Sequence, residues 1–199
     1  PNNPTGACWD RDAIANLLDV PGVLLVLDEA YYEYSGMTFL PDVDTHDNLI
    51  VLRTFSKAFG FAALRIGYMV ADPDWVGVVD RVPLPYNVNA LSQVGALTVL
   101  GHDDRVAEHL RWVVDERERV LEALNAVEGI ETFRTDANFV LFRAREGADA
   151  VFTRLLDAGV LIRNLDRPGL LRDCLRVTIG TPAENTVFLA ALLGESSAV

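Results

Sequence analysis

Runs in which every position is apolar alternate with segments in which apolar residues recur every three or four positions, and the two patterns predict different elements. Val23-Leu24-Leu25-Val26-Leu27 is apolar throughout and ends on Asp28 and Glu29. That suits a strand covered on both faces, as in a parallel sheet with helices above and below. Leu49 to Leu52 repeats the pattern and runs straight into Arg53-Thr54-Phe55-Ser56-Lys57. Ile66 to Ala71 forms a third run, which Pro73 punctuates. Asp10 is placed to cap a short helix with Ile14, Leu17 and Leu18 on its apolar side, ended by Pro21-Gly22.

Pro83 and Pro85 mark a loop, after which a helix starts at or near Asn89 and continues to Leu100, where Gly101 stops it. A longer helix runs from about Asp104, with Val106, Leu110, Val113, Val120, Leu124 and Val127 as one buried stripe and its arginines and glutamates facing water. Beyond Gly129 the texture changes. Ile130–Phe133, Phe139–Phe142, Val160–Ile162 and Leu175–Ile179 read as short strands, with one helix near Ala148 to Asp157. Thr181-Pro182-Ala183-Glu184 joins a capping threonine, a proline at the first helical position and a glutamate three residues after the cap, which starts a last helix. The predicted organisation is an α/β region over residues 1–104 with a mainly parallel sheet, then a small α+β domain with its linking helix over 105–199.

Composition narrows the function. No apolar run approaches the roughly 18 residues that a membrane-spanning helix needs. A net charge of −12 repels phosphate backbones and anionic membrane surfaces, which argues against nucleic acid and membranes as partners. Cys8 and Cys174 sit in no CxxC pattern, and His46, His102 and His109 lack ligand spacing, so neither a disulfide framework nor a metal site is expected. Reduced thiols fit a cytoplasmic protein. Lys57 is the only lysine, every other long-chain cation being arginine. The chain opens at Pro1 without an initiator methionine, which reads as the interior of a longer protein.

Both charged clusters fall at the carboxyl ends of predicted strands, where open α/β sheets place their ligands. Three segments stand in order: Pro1-Asn2-Asn3-Pro4-Thr5-Gly6, then Asp28-Glu29-Ala30-Tyr31, then Thr54-Phe55-Ser56-Lys57 with Arg65 eight residues on. Together they resemble the fold-type I pyridoxal-phosphate (PLP) aminotransferases, the aspartate-aminotransferase fold, and the resemblance covers essentially the whole chain. It implies that Lys57 is the Schiff-base lysine, that Asp28 faces the pyridine nitrogen, and that Asn3 and Tyr31 donate to the phenolic oxygen. Thr54, Ser56 and Arg65 are then the phosphate ligands.

Chemistry asks for these residue types. The cofactor is an electron sink only while its ring nitrogen stays protonated, which needs a buried carboxylate. Its attachment needs a lysine in a desolvated, cation-rich site, and a guanidinium fork suits a dianionic phosphate. The amine of Lys57, the carboxylate of Asp28 and the guanidinium of Arg65 are therefore expected to converge on one cavity.

Leu175-Arg176-Val177-Thr178-Ile179-Gly180 resembles the segment whose arginine binds the substrate α-carboxylate across this group. Gly159-Val160-Leu161-Ile162-Arg163, Tyr86-Asn87-Val88-Asn89-Ala90-Leu91-Ser92-Gln93 and Asp136-Ala137-Asn138-Phe139 look like the histidinol-phosphate aminotransferase subfamily. The resemblance implies that Arg163 binds the substrate phosphate, that histidinol phosphate and glutamate or 2-oxoglutarate are the substrates in histidine biosynthesis, and that the full-length enzyme is a homodimer. A threonine-phosphate decarboxylase, an aromatic amino-acid aminotransferase and an inactive truncated binding domain are the rival readings. In the family a glycine/serine-rich turn, a ring that stacks on the pyridine and a tyrosine from the partner subunit all precede the NNPTG segment, so residues 1–199 alone are expected to show no useful turnover.

Overall fold

A computed structural model describes residues 1–82 and 87–194. The predicted loop at Pro83 and Pro85, and Tyr86, lie outside the described residues. Contacts gather the chain into two units, one of Pro1 and Cys8–Leu110, the other of Asn2–Ala7 and the residues from Arg111 onward. The division falls inside a long helix, after its eighth residue.

The first unit opens with α1 (Arg11–Leu18), whose first turn is held by the Asp10 carboxylate accepting from the Ala13 amide at 2.9 Å. Strands β1 (Leu25–Asp28) and β2 (Leu49–Thr54) pair in parallel, with Asp28 opposite Leu52. Between them lie α2 (Tyr32–Ser35) and a 3-10 turn at Leu40–Asp44. The third strand, β3 (Gly67–Ala71), runs antiparallel to β2, because the connection holds only a 3-10 turn at Ala62–Leu64 and no crossover helix. Helices α3 (Pro73–Val79), α4 (Ala90–Leu100) and α5 (Asp103–Asn125) follow. Pro73 begins a helix capped by Asp72, where the sequence showed only the end of a strand.

Alternation sorts the sheet's residues. Leu25, Leu27, Leu49 and Val51 face a core with Ile14, Leu18 and Phe39. On the opposite face Leu24, Val26 and Leu52 are 38%, 50% and 37% exposed, so coverage on both faces is not found in this chain. Both faces are apolar in composition, and an apolar run therefore could not show which one is packed. Leu17, expected on the buried side of α1, is also exposed, while Ile14 and Leu18 are buried.

The second unit holds a four-stranded antiparallel sheet in the order β4 (Ile130–Thr132), β5 (Phe139–Ala144), β7 (Cys174–Thr178), β6 (Arg163–Asn164). Helices α6 (Ala148–Asp157) and α7 (Pro182–Leu193) complete it. Phe142, Leu141, Leu155 and Leu175 are almost fully buried, each contributing roughly 1.5–3 kcal/mol of apolar burial. Val160–Ile162 is not a strand; only Arg163 and Asn164 pair with β7.

The α5 stripe also differs from expectation. Its buried residues are Val113, Arg117, Val120 and Leu124, and Arg117 sits inside rather than in water. Its guanidinium donates to the Ala137 carbonyl at 3.3 Å and pairs with Glu118 at 3.0 Å, which satisfies the charge where it is. Asn2–Ala7 belong here because Asp136 N–H donates to the Gly6 carbonyl at 2.7 Å. A Cβ on Gly6, at φ +82°, would lie 2.1 Å from the Thr135 hydroxyl, so only glycine permits this approach. No described helix is long and apolar enough to cross a membrane.

Candidate active site

At the carboxyl ends of β1 and β2 the chain places acids, hydroxyls and cations together, and alternation separates them by face. Asp28 and Thr54 share the face of Val26 and Leu52, whereas Glu29 and Arg53 turn to the other. Asp28 is exposed, and its carboxylate accepts from the Ala30 amide at 3.0 Å. The buried acid expected at position 28 is instead its neighbour. Glu29 is 7% exposed and accepts from the Phe39 amide at 2.6 Å, the Thr38 hydroxyl at 2.8 Å and Arg53 at 3.0 Å. Arg53 also donates to Thr38 Oγ1 at 2.7 Å and lies 3.8 Å above the Tyr32 ring. Burial disfavours the Arg53 charge, but hydrogen bonds to Glu29 and Tyr68 outweigh it and hold the guanidinium protonated.

Sequence reasoning missed this pair. Glu29 and Arg53 each stand next to a more conspicuous residue, and the one available signal was that an alternating strand end must send Asp28 and Glu29 to opposite faces.

Lys57 follows β2 by three residues and is exposed in this chain, with its Nζ 5.5 Å from the centre of the buried Tyr31 ring. The desolvation expected around the lysine is thus not supplied by these residues. Thr54 Oγ1 accepts from the Ser56 amide at 3.1 Å and donates to the Ile66 carbonyl at 3.4 Å, tying the end of β2 to the start of β3. Arg65, also exposed, has φ +52° and ψ +46°, a left-handed conformation that costs a side-chain-bearing residue about 1–2 kcal/mol. Its Nη1 donates to the Ala62 carbonyl at 2.9 Å. Asp28, Tyr31, Thr54, Ser56 and Lys57 therefore lie at or just beyond the ends of β1 and β2, and Arg65 lies two residues before the start of β3, which pairs with the end of β2.

The other predicted residues belong to the second unit. Arg163 and Arg176 are directly opposite one another in the β6–β7 ladder and line the same cavity, of about 1030 Å³. Like charges facing across a ladder repel. Among the described residues no carboxylate lies within ion-pair distance of either arginine. Arg176 instead donates to Asn3 Oδ1 and stands 4.7 Å over the Phe139 ring. Arg163 is exposed, and two neighbouring cations without a carboxylate partner among the described residues suit a ligand with two anionic groups. Among the described residues no cluster of His, Cys, Asp and Glu could hold a metal ion.

The family model of aminotransferase class I and II matches residues 1–192. Histidinol-phosphate aminotransferase 2 of Nitrosococcus oceani is 42% identical over 194 residues, covering 96% of this chain and 54% of that protein. Among solved structures, L-threonine-O-3-phosphate decarboxylase from Porphyromonas gingivalis is 32% identical with a TM-score of 0.87, covering 98% of this chain and 62% of that one. Histidinol-phosphate aminotransferase from Sinorhizobium meliloti, solved with pyridoxal-5′-phosphate, is 29% identical with a TM-score of 0.85, over 96% of this chain and 54% of that one. The chain thus spans about half the length of the curated relatives it matches, and it belongs to the class I and II aminotransferase family.

Proposed function

We propose that the protein is a PLP-dependent aminotransferase that exchanges an amino group between histidinol phosphate and 2-oxoglutarate in histidine biosynthesis, as a cytoplasmic homodimer. The observation that carries this reading is the grouping at the sheet's carboxyl edge. Asp28 and Thr54 share one face at adjacent parallel strand ends, and the chain's only lysine stands three residues beyond Thr54. The donor set fits the cofactor: a carboxylate for a ring nitrogen, a tyrosine for a phenolic oxygen, hydroxyls and a guanidinium for a phosphate, and an amine for an aldehyde. When bound, PLP supplies an electron sink for charge developing at the substrate α-carbon.

Asp28 holds a proton on the ring nitrogen, and Tyr31 donates to the phenolic oxygen. Lys57 would hold the cofactor's aldehyde carbon, and its amine would serve as the base that moves the proton of the substrate α-carbon. Thr54, Ser56 and Arg65 bind the phosphate. Arg176, steered by Asn3, takes the α-carboxylate of glutamate, and the remaining amide hydrogens of Asn3 are left to donate to the cofactor. Arg163 takes the side-chain carboxylate of glutamate or the phosphate of the other substrate.

The test is product formation by the full-length protein from histidinol phosphate and 2-oxoglutarate. Steady glutamate formation that Lys57→Ala abolishes is expected. Arg163→Ala should raise KM for histidinol phosphate about 10- to 100-fold, the worth of a charged hydrogen-bonded contact. Carbon dioxide release from a phosphorylated amino acid, without a 2-oxo product, would replace the transaminase reading with a decarboxylase.

A further inference from the structure

Arg65 is held in a backbone conformation that a side chain rarely adopts, and the residues on both sides of it are pinned. On one side the Ile66 carbonyl accepts from the Phe55 amide at 3.1 Å and from the Thr54 hydroxyl at 3.4 Å. On the other, the Leu64 carbonyl accepts from the Ser92 hydroxyl at 2.6 Å. Ser92 has no exposed surface, and the Asn89 side-chain amide donates to its oxygen at 2.9 Å. With its lone pair engaged by Asn89, the hydroxyl proton is directed at Leu64. The helix can come this close because the next turn carries Gly95. A Cβ there would lie 2.8 Å from Leu64 Cδ1 and 3.5 Å from the Phe61 ring.

We propose that Ser92 is a positioning residue for the cofactor-phosphate site. Its buried hydroxyl locks the Leu64 carbonyl, fixes the left-handed backbone at Arg65, and so aims the guanidinium at the phosphate. A non-glycine residue keeps such a conformation only where its surroundings over-determine it. Here the brackets are the end of β2 on one side and the first turn of α4 on the other. The inference rests on the reading of Arg65 as a phosphate ligand.

The discriminating quantity is the preference of the full-length protein for pyridoxal 5′-phosphate over pyridoxal, which lacks the phosphate, measured as a ratio of dissociation constants by cofactor absorbance. A general loss of folding weakens both ligands and leaves the ratio unmoved. Ser92→Ala is expected to lower the preference about tenfold, the size of one lost buried hydrogen bond. Arg65→Ala should lower it about a hundredfold, as for a charge-assisted phosphate contact. Ser92→Thr, which keeps the hydroxyl, should recover most of the preference.

Should Ser92→Ala not accumulate as folded protein, Asn89→Asp takes its place. It retains the helix cap but offers an acceptor that draws the Ser92 proton away from Leu64, and the same direction of change is expected. If Arg65→Ala leaves the ratio unaltered, or the unsubstituted protein shows no preference, the phosphate reading itself fails. A loss with Arg65→Ala together with an unchanged ratio in Ser92→Ala, or in Asn89→Asp where that stands in, refutes the role of Ser92 alone.

Discussion

Five of the six residues of β5 are buried, whereas in β1 partly buried and exposed residues alternate and none is fully buried. The second unit fixes its sheet with buried apolar side chains: Phe142 and Leu175 stand opposite one another in the β5–β7 ladder, and the Phe142 ring lies 6.3 Å from that of Phe188 on α7. In the first unit the apolar core lies under only one face, and the strand ends that bear the candidate chemistry are fixed by polar bonds. Glu29, Thr38 and Arg53 form a closed ring of donors and acceptors there. The difference matters because apolar packing tolerates a side chain of similar volume, while a buried charge without its partner does not.

The strongest way to break the comparison is Glu29→Ala. It removes the ion-pair partner of Arg53, whose side chain is 8% exposed. The expected cost is about 3–5 kcal/mol, read by urea unfolding. A loss below about 1 kcal/mol, the scale of exposed ion pairs, would mean that the ring does not hold the strand ends. In the second unit the matching polar device is local. Thr181 Oγ1 accepts from the Glu184 amide at 3.2 Å, and Glu184 reaches back to the Thr181 amide at 2.7 Å. Thr181→Ala should cost about 1 kcal/mol, measured in the same way, and a loss several times larger would show that α7 depends on its cap as heavily as β2 depends on Glu29.

These two devices also mark what the amino-acid sequence could disclose. The capping box spans four consecutive residues, so its geometry is written locally, and the helix start at Thr181 was legible for that reason. Asp28, Tyr31, Thr54, Ser56, Lys57 and Arg65 could be picked out because short ordered motifs carry them. Glu29 could not be distinguished from Asp28, because the choice of which acid is buried depends on strand register with β2 and on Thr38 and Phe39, nine and ten residues away. Val160–Ile162 has the composition of a strand but finds no ladder partner among the described residues, and pairing with β7 begins only at Arg163. Ser92 was visible only as part of a resemblance. A serine three residues after Asn89 reads as an ordinary first-turn residue, and its bond to Leu64 spans 28 positions.

The smallest effect expected is also the one that separates the two units by pH. Glu33, on α2 beside the Glu29–Arg53 ring, has a buried Oε2 with no hydrogen-bond partner among the described residues. Burial pushes its carboxyl above the ordinary value of 4.5, and the nearby Glu29 adds to this, while its own backbone amide and Arg53 pull the other way without prevailing. A carboxyl raised in the folded state favours folding while it is protonated. That contribution is complete below the unfolded value and is lost as pH rises through the folded one. Above the folded value the charge on Glu33 therefore costs stability that a neutral isostere would not lose. Glu33→Gln should raise stability at pH 7, and the gain should shrink as pH falls toward 4.5 and vanish below it. Thermal unfolding of both proteins across that range reads the difference. A gain that persists unchanged at pH 4 would assign the effect to packing rather than to the buried charge, and the first unit would then rest on the same kind of forces as the second.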